Sequence, residues 1–285
     1  MNISRAEITH FPKMRHVKLR DKLVDLSEPK VMGIVNITPD SFFAGSRAQE
    51  KDELLKKVGS MIDEGADIID IGSFSTRPGS KEIPIKEELK RLLPAIEIIR
   101  KDFPDCYLSV DTFRAQVAKE SLAEGADIIN DIGGLQLDPK MAEVIAEKNT
   151  PYILMHGVNT LETMHVTSDN DELFRDVCYF FSEKLAHLES LGATEVILDP
   201  GFGFGKTVAQ NFDLLSKLEL FQLLERPLLM GVSRKSMIYK KLQISAEEAL
   251  NGTTCLNTVG LMKGANIFRV HDVKQMKENI NLLSF

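Results

Sequence analysis

Short apolar runs recur along the chain, and several follow a helix-period stretch that ends in glycine. The clearest pair is Glu64-Gly65-Ala66-Asp67-Ile68-Ile69-Asp70 and Glu124-Gly125-Ala126-Asp127-Ile128-Ile129-Asn130, with looser copies at 192–199 and 264–270. Glycine at a helix end takes the left-handed conformation that closes the last turn. The run after it is continuously apolar, as a strand buried on both faces must be. The spacing is too irregular for a stacked solenoid and suits repeated βα units. Strands are predicted over 31–36, 67–71, 107–111, 127–131, 152–156, 195–199, 228–232 and 266–270. Helices are predicted over 52–64, 87–101, 114–124, 139–148, 172–191, 211–218 and 246–263, with a last one near 273–279. Eight alternating units predict an α/β fold, a closed (β/α)8 TIM barrel that fills 1–285 as a single domain. An open doubly wound sheet is the alternative. Within the extension at 1–28, residues 16–26 alternate apolar and polar around a turn, which predicts a β-hairpin covering the open bottom of the barrel.

The strands tend to end in polar residues: Asn36, Asp70, Asp111, Asn130 with Asp131, His156, Asp199, Ser233 with Arg234, and Arg269 with His271. Any one of them can serve as a cap for the next helix. In a barrel these ends converge on the face where active sites of this architecture lie, so as a set they predict one polar pocket.

Composition narrows the partners. A formal net charge of -7 is wrong for a general nucleic-acid binder, so any phosphate site must be local. The cysteines Cys106, Cys178 and Cys255 show no CxxC spacing and read as small buried hydrophobes in a reducing cytoplasm. No stretch approaches the roughly 18 apolar residues of a membrane span, so no membrane partner is expected.

Six stretches carry candidate chemistry. Met32–Gly45, MGIVNITPDSFFAG, runs out of a buried strand through Asn36, whose side-chain oxygen suits a hard cation such as Mg2+. A plain turn is the other reading, but two phenylalanines in a solvent loop suggest a loop that closes. GSFSTRPG at 72–79 offers donors to an anion, or is an ordinary βα loop. SVDT at 109–112 and Asn130 one unit later place a carboxylate and an amide on adjacent strands. Together they can read a flat heterocycle, or only satisfy one another. LDPGFGFGK at 198–206 matches neither GxGxxG nor a P-loop, yet Asp199 is poised to accept from ring N–H groups and Phe202 to lie against an aromatic ring. GVSRKS at 231–236 and FRVHD at 268–272 put Lys235, Ser236, Arg269 and His271 after the last two strands, where barrels often hold anions.

In that order the stretches resemble the dihydropteroate synthase family over nearly the whole chain. The resemblance implies a (β/α)8 barrel, usually a homodimer, that condenses 6-hydroxymethyl-7,8-dihydropterin pyrophosphate with p-aminobenzoate in folate biosynthesis. It implies pterin contacts from Asp111, Asn130, Asp199, Lys235 and Arg269, the catalytic set being Asp111, Asp199, Lys235 and Arg269. It implies Mg2+ on Asn36 and pyrophosphate on Asn36, Arg77, Arg269 and His271. The p-aminobenzoate pocket, where sulfonamides compete, maps to Phe42, Thr76, Pro78, Phe202 and Ser236. The chain departs from the family pattern at Ser73-Phe74, where Gly-Glu is usual, and in the spacing after Gly157.

Three rivals remain. A methyltetrahydrofolate-dependent methyltransferase barrel shares the pterin residues but has no use for the basic blocks at Arg269 and Lys235. A pterin-binding paralogue without turnover would have no need of the intact loop blocks. An aldolase using Lys235 as a Schiff base needs a desolvated lysine away from arginine, and Arg234 is adjacent.

Overall fold

The computed structural model describes residues 16–37, 47–73, 83–157 and 172–284. The apolar runs form strands β3 (Lys30–Asn36), β4 (Ile68–Gly72), β5 (Tyr107–Asp111), β6 (Ile128–Asp131), β7 (Tyr152–Met155), β8 (Val196–Asp199), β9 (Leu229–Met230) and β10 (Ile267–Val270). They pair in parallel in the order β8-β7-β6-β5-β4-β3-β10-β9. A parallel bridge between Leu198 and Leu228 joins the two ends, and Leu198 N–H donates to Pro227 O at 2.8 Å. The closed barrel follows.

Helices alternate with the strands: α1 (Arg47–Asp63), α2 (Ile85–Asp102), α3 (Ala115–Glu124), α4 (Met141–Lys148), α5 (Leu173–Ser190), α6 (Val208–Ser216), α7 (Ser236–Leu242), α8 (Leu250–Met262) and α9 (Val273–Leu283). Alternate residues of each strand belong to different cores, as period-2 geometry requires. Val31, Val35, Ile69, Ile71, Leu108, Val110, Ile129, Leu154, Leu198, Met230 and Phe268 pack in the large core that contains the helices. Met32, Ile68, Ile128, Ile153, Ile197, Leu229 and Ile267 form a second, separate core inside the barrel.

That inner core is an apolar floor, closed from below by the hairpin β1 (His16–Leu19) and β2 (Lys22–Asp25). Val17, Leu19 and Leu26 join it, fully buried. At the hairpin turn Arg20 sits at φ +55° and reaches the barrel wall. Its Nε donates to Asp127 Oδ1 at 2.8 Å, and its Nη atoms donate to the carbonyls of Pro104 and Cys106, each at 2.7 Å. Arg100 pairs with the other Asp127 oxygen. The Arg20 side chain is 37% exposed, so solvent screens the pair. Arg20→Ala is expected to lower stability by about 1 kcal/mol in a denaturant melt, with kcat and KM unchanged, because the latch lies at the opposite end from the polar strand ends.

Four expectations need correction. β7 stops at Met155, one residue before His156, although His156 N–H still donates to Asp199 O at 2.9 Å. The strand expected over 228–232 is only Leu229–Met230, because its two ends pair with different partners and Arg234 then turns at φ +54°. The helix expected over 211–218 starts at Val208, where Thr207 and Gln210 form a reciprocal capping box. The cysteines are not fully buried. Cys106 and Cys178 are half-buried, and Cys255 is exposed because it lies off the α8 face that buries Thr253, Asn257 and Gly260.

Candidate active site

One step above the floor, the inward positions of the strands change from apolar to polar. Register sets Asp70 beside Ser109, Asp111 beside Asn130, and Met155 beside Asp199. Arg269, on β10, spans two carboxylates: its Nε donates to Asp70 Oδ2 and its Nη2 to Asp111 Oδ2, both at 2.7 Å. Burial disfavours the guanidinium charge, but Asp70 and Asp111 outweigh it and hold the group protonated. Burial pushes Asp111 above the usual carboxylate range, against the pull of Arg269.

Asp70 is the hub of this end, and sequence reasoning gave it no role beyond a strand-end polar residue. It is fully buried and accepts from Ser109 Oγ at 2.6 Å and from Asn130 Nδ2 at 3.3 Å, besides Arg269. The signal was in the sequence: in the repeat, Asp70 and Asn130 occupy the same place, and both face inward. Asp70→Asn is expected to preserve the fold and to weaken, by about tenfold or more, binding of the pterin that the sequence resemblance implies, read by titration calorimetry, because Arg269 loses one of its two anchors.

Across the pocket lie Asp199 and Lys235. Asp199 Oδ1 accepts from Gly201 N–H at 2.8 Å; burial raises its pKa while Lys235 pulls it back. Lys235 Nζ donates to Phe202 O at 2.6 Å and stands 4.5 Å above the Phe204 ring. Burial lowers Lys235 to about 8, with Asp199 opposing the shift and Arg269 adding to it. Gly231 lies between the two cations: a Cβ there would stand in ordinary contact, 3.8 Å from both Arg269 Cβ and Lys235 Nζ. The Phe202 ring does not face the pocket. It is fully buried in the outer core, and the ring beside Lys235 is that of Phe204.

At the rim, His271 Nδ1 lies 3.0 Å from Ser233 Oγ. Packing around the ring, helped by Arg269, holds the imidazole below the usual histidine range. Ser236 opens α7, half-buried, and Asn36 ends β3 beside Gly72, also half-buried. Arg234 turns away and grips Asp272 with two bonds, 2.9 and 2.8 Å long. The arginine that disfavours a Schiff base at Lys235 is therefore Arg269. Asp131 also turns out of the pocket, accepting from Tyr152 Oη at 2.6 Å and from the N–H groups of Gly133 and Leu135. Phe42, Thr76, Arg77 and Pro78 lie outside the described residues.

A closed α/β barrel with inward carboxylates, an amide and two cations at the C-terminal strand ends is a site for a flat polar ring with an anionic tail. Comparison with known proteins gives the same class. The model of the pterin binding enzyme family matches residues 32–271. The chain is 42% identical over 262 residues to the dihydropteroate synthase of Escherichia coli K12, covering 91% of this chain and 92% of that one. A Yersinia pestis dihydropteroate synthase with a sulfonamide drug superposes with a TM-score of 0.87 at 40% identity, covering 94% of this chain and 97% of that one. A Xanthomonas albilineans dihydropteroate synthase with 4-aminobenzoic acid superposes with a TM-score of 0.86 at 33% identity, covering 94% and 96%. The chain belongs to the pterin-binding enzymes, in the dihydropteroate synthase family.

Proposed function

We propose that this protein condenses 6-hydroxymethyl-7,8-dihydropterin pyrophosphate with p-aminobenzoate to 7,8-dihydropteroate and pyrophosphate. The observation that carries this is the convergence of Asp70, Asp111, Asn130, Arg269, Asp199 and Lys235 above an apolar floor. Asp199 accepts from the amino and ring N–H groups of the pterin, Lys235 donates to its ring acceptors, and Asn130 supplies both kinds of group.

Breaking the bond between the methylene carbon and the diphosphate oxygen sends the electron pair to the diphosphate and leaves positive charge on the pterin. The buried carboxylates Asp111 and Asp199 stabilise that charge, while Arg269, Arg77 and the His271 imidazole receive the departing anion. The aromatic amine then gives its lone pair to the methylene carbon and releases one proton. Phe42, Thr76, Pro78 and Ser236 are the residues left to match the family's p-aminobenzoate pocket, since the Phe202 ring is turned into the outer core.

Asn36 fits a Mg2+ that arrives with the diphosphate. It offers one neutral oxygen beside a residue without a side chain, Gly72. Among the described residues no cluster of three His, Cys, Asp or Glu is placed to hold a metal without substrate. Bound there, Mg2+ would neutralise charge on the leaving group.

A homodimer is part of this reading, supported by the exposed apolar side chains Leu242, Met262 and Leu282 on α7, α8 and α9. So is a cytoplasmic setting: the cysteines are free, and no described helix is long and apolar enough to cross a membrane. The test is pyrophosphate release. It is expected to need the pterin substrate and Mg2+ and to rise with p-aminobenzoate; a folded protein that binds the pterin and releases nothing contradicts the proposal.

A further inference from the structure

The glycine-rich loop between β8 and α6 is wound about one buried ammonium. Lys206 is 6% exposed and donates to three backbone carbonyls: Gly201 at 2.9 Å, Phe204 at 3.0 Å and His156 at 3.1 Å. Lysine has three donors, so all are used. Each hydrogen-bond partner is a neutral carbonyl, and the nearby Asp199 supports the charge only partly against burial. A charge buried this way costs more than an apolar side chain of the same shape. Simple filling of space does not explain it.

What the three bonds fix is the path of the loop. Gly201 and Phe204, whose carbonyls Lys206 holds, flank Phe202. The Phe202 carbonyl accepts from Lys235, and the Phe204 ring lies beneath the same ammonium. The loop is also tied to Asp199 through Gly201 N–H, and to α6 through Gly203 N–H donating to Asn211 Oδ1 at 2.7 Å. Gly201 sits at φ +69°, and a Cβ there would come within 2.0 Å of the His156 carbonyl, the third atom in the Lys206 cage.

We propose that Lys206 is a positioning residue, whose ammonium sets the Phe202 carbonyl and Phe204 ring against which Lys235 is aimed at the pterin. This rests on the reading of Lys235 as a pterin ligand. The groups facing Lys206 are Asp199 on β8, Lys235 ahead of α7 and His156 after β7. The last is neutral, its pKa pushed by burial down to about 3. Burial lowers Lys206 to about 7, Asp199 opposing and Lys235 assisting. The cage therefore loses a proton, and one bond, as pH rises through neutrality.

The test compares wild type with Lys206→Met and Lys206→Arg. Two quantities are read: kcat with both KM values across pH, and the rate at which an amine-acylating reagent modifies Lys235, followed by peptide mass. Lys206→Met is expected to lower kcat about 10- to 100-fold while still folded at the assay temperature, and to raise Lys235 acylation several-fold. Lys206→Arg, which keeps its charge at all working pH, is expected to recover part of kcat and to lose the step near 7 in the pH profile. Wild-type kcat and Lys235 reactivity in Lys206→Met, with only the melting temperature lowered, overturn the proposal. If Lys206→Met does not fold, the profiles of wild type and Lys206→Arg decide, and coincident profiles overturn it. A wild type without condensation activity refutes the functional reading instead, and the acylation rates still report whether Lys206 sets Lys235.

Discussion

Arg269→Met is expected to reduce kcat/KM by about three orders of magnitude and to destabilise the fold by about 3–5 kcal/mol. Both effects have one origin. Arg269 touches Asp70 and Asp111 at 2.7 Å, and it alone among the described residues bridges the carboxylates of β4 and β5. Methionine fills most of the volume but leaves two inward carboxylates without their counter-charge. Asp111, already raised to about 7 by burial in the wild type, loses the charge that pulled it down and rises further, so the folded variant holds its proton to higher pH than the wild type does. The variant's stability therefore goes on falling with pH above the point where that of the wild type levels off. Thermal melts are expected to show a wider gap from wild type at about pH 8 than at about pH 5. A gap that narrows with rising pH contradicts this account of the Arg269 pair.

Asp199→Asn is the second large effect: kcat is expected to fall about 10²- to 10³-fold with the protein still folded. Asparagine keeps an oxygen to accept from Gly201 N–H but carries no charge to balance an electron-poor pterin. The change also acts on Lys235. Asp199 holds that pKa up at about 8 against burial and Arg269, so removing the charge lowers it. The alkaline limb of the kcat/KM profile is expected to move to lower pH in the variant. A limb that stays in place while kcat falls would mean that Asp199 and Lys235 do not share an electrostatic environment.

Much of the barrel was legible because it rests on local rules. The glycine that ends a helix before a β-branched run is visible at Gly65 and Gly125, and both take positive φ. Element ends were less legible where long-range pairing sets them. The strand at Leu229–Met230 is short because it closes the ring, which no local pattern encodes. The site was legible as a set of residue types at strand ends, but the partition among them was not. Asp131 and Asp199 look alike in sequence. One turns into its own loop and the other faces Lys235, and the difference lies in Tyr152 on the neighbouring strand. Asp70 and Lys206 went unassigned for a related reason. Their partners are far along the chain or are backbone carbonyls, and a backbone carbonyl leaves no mark in the sequence.

The losses of activity expected at Arg269 and Asp199 depend on a single pterin site inside the barrel mouth. A crystal structure of the protein with 6-hydroxymethylpterin pyrophosphate tests it directly. The bicyclic ring is expected between Asp111, Asn130, Asp199 and Lys235, with its diphosphate toward Arg269 and His271. A ring bound anywhere else, or a diphosphate pointing toward the floor at Ile68 and Ile267, contradicts it.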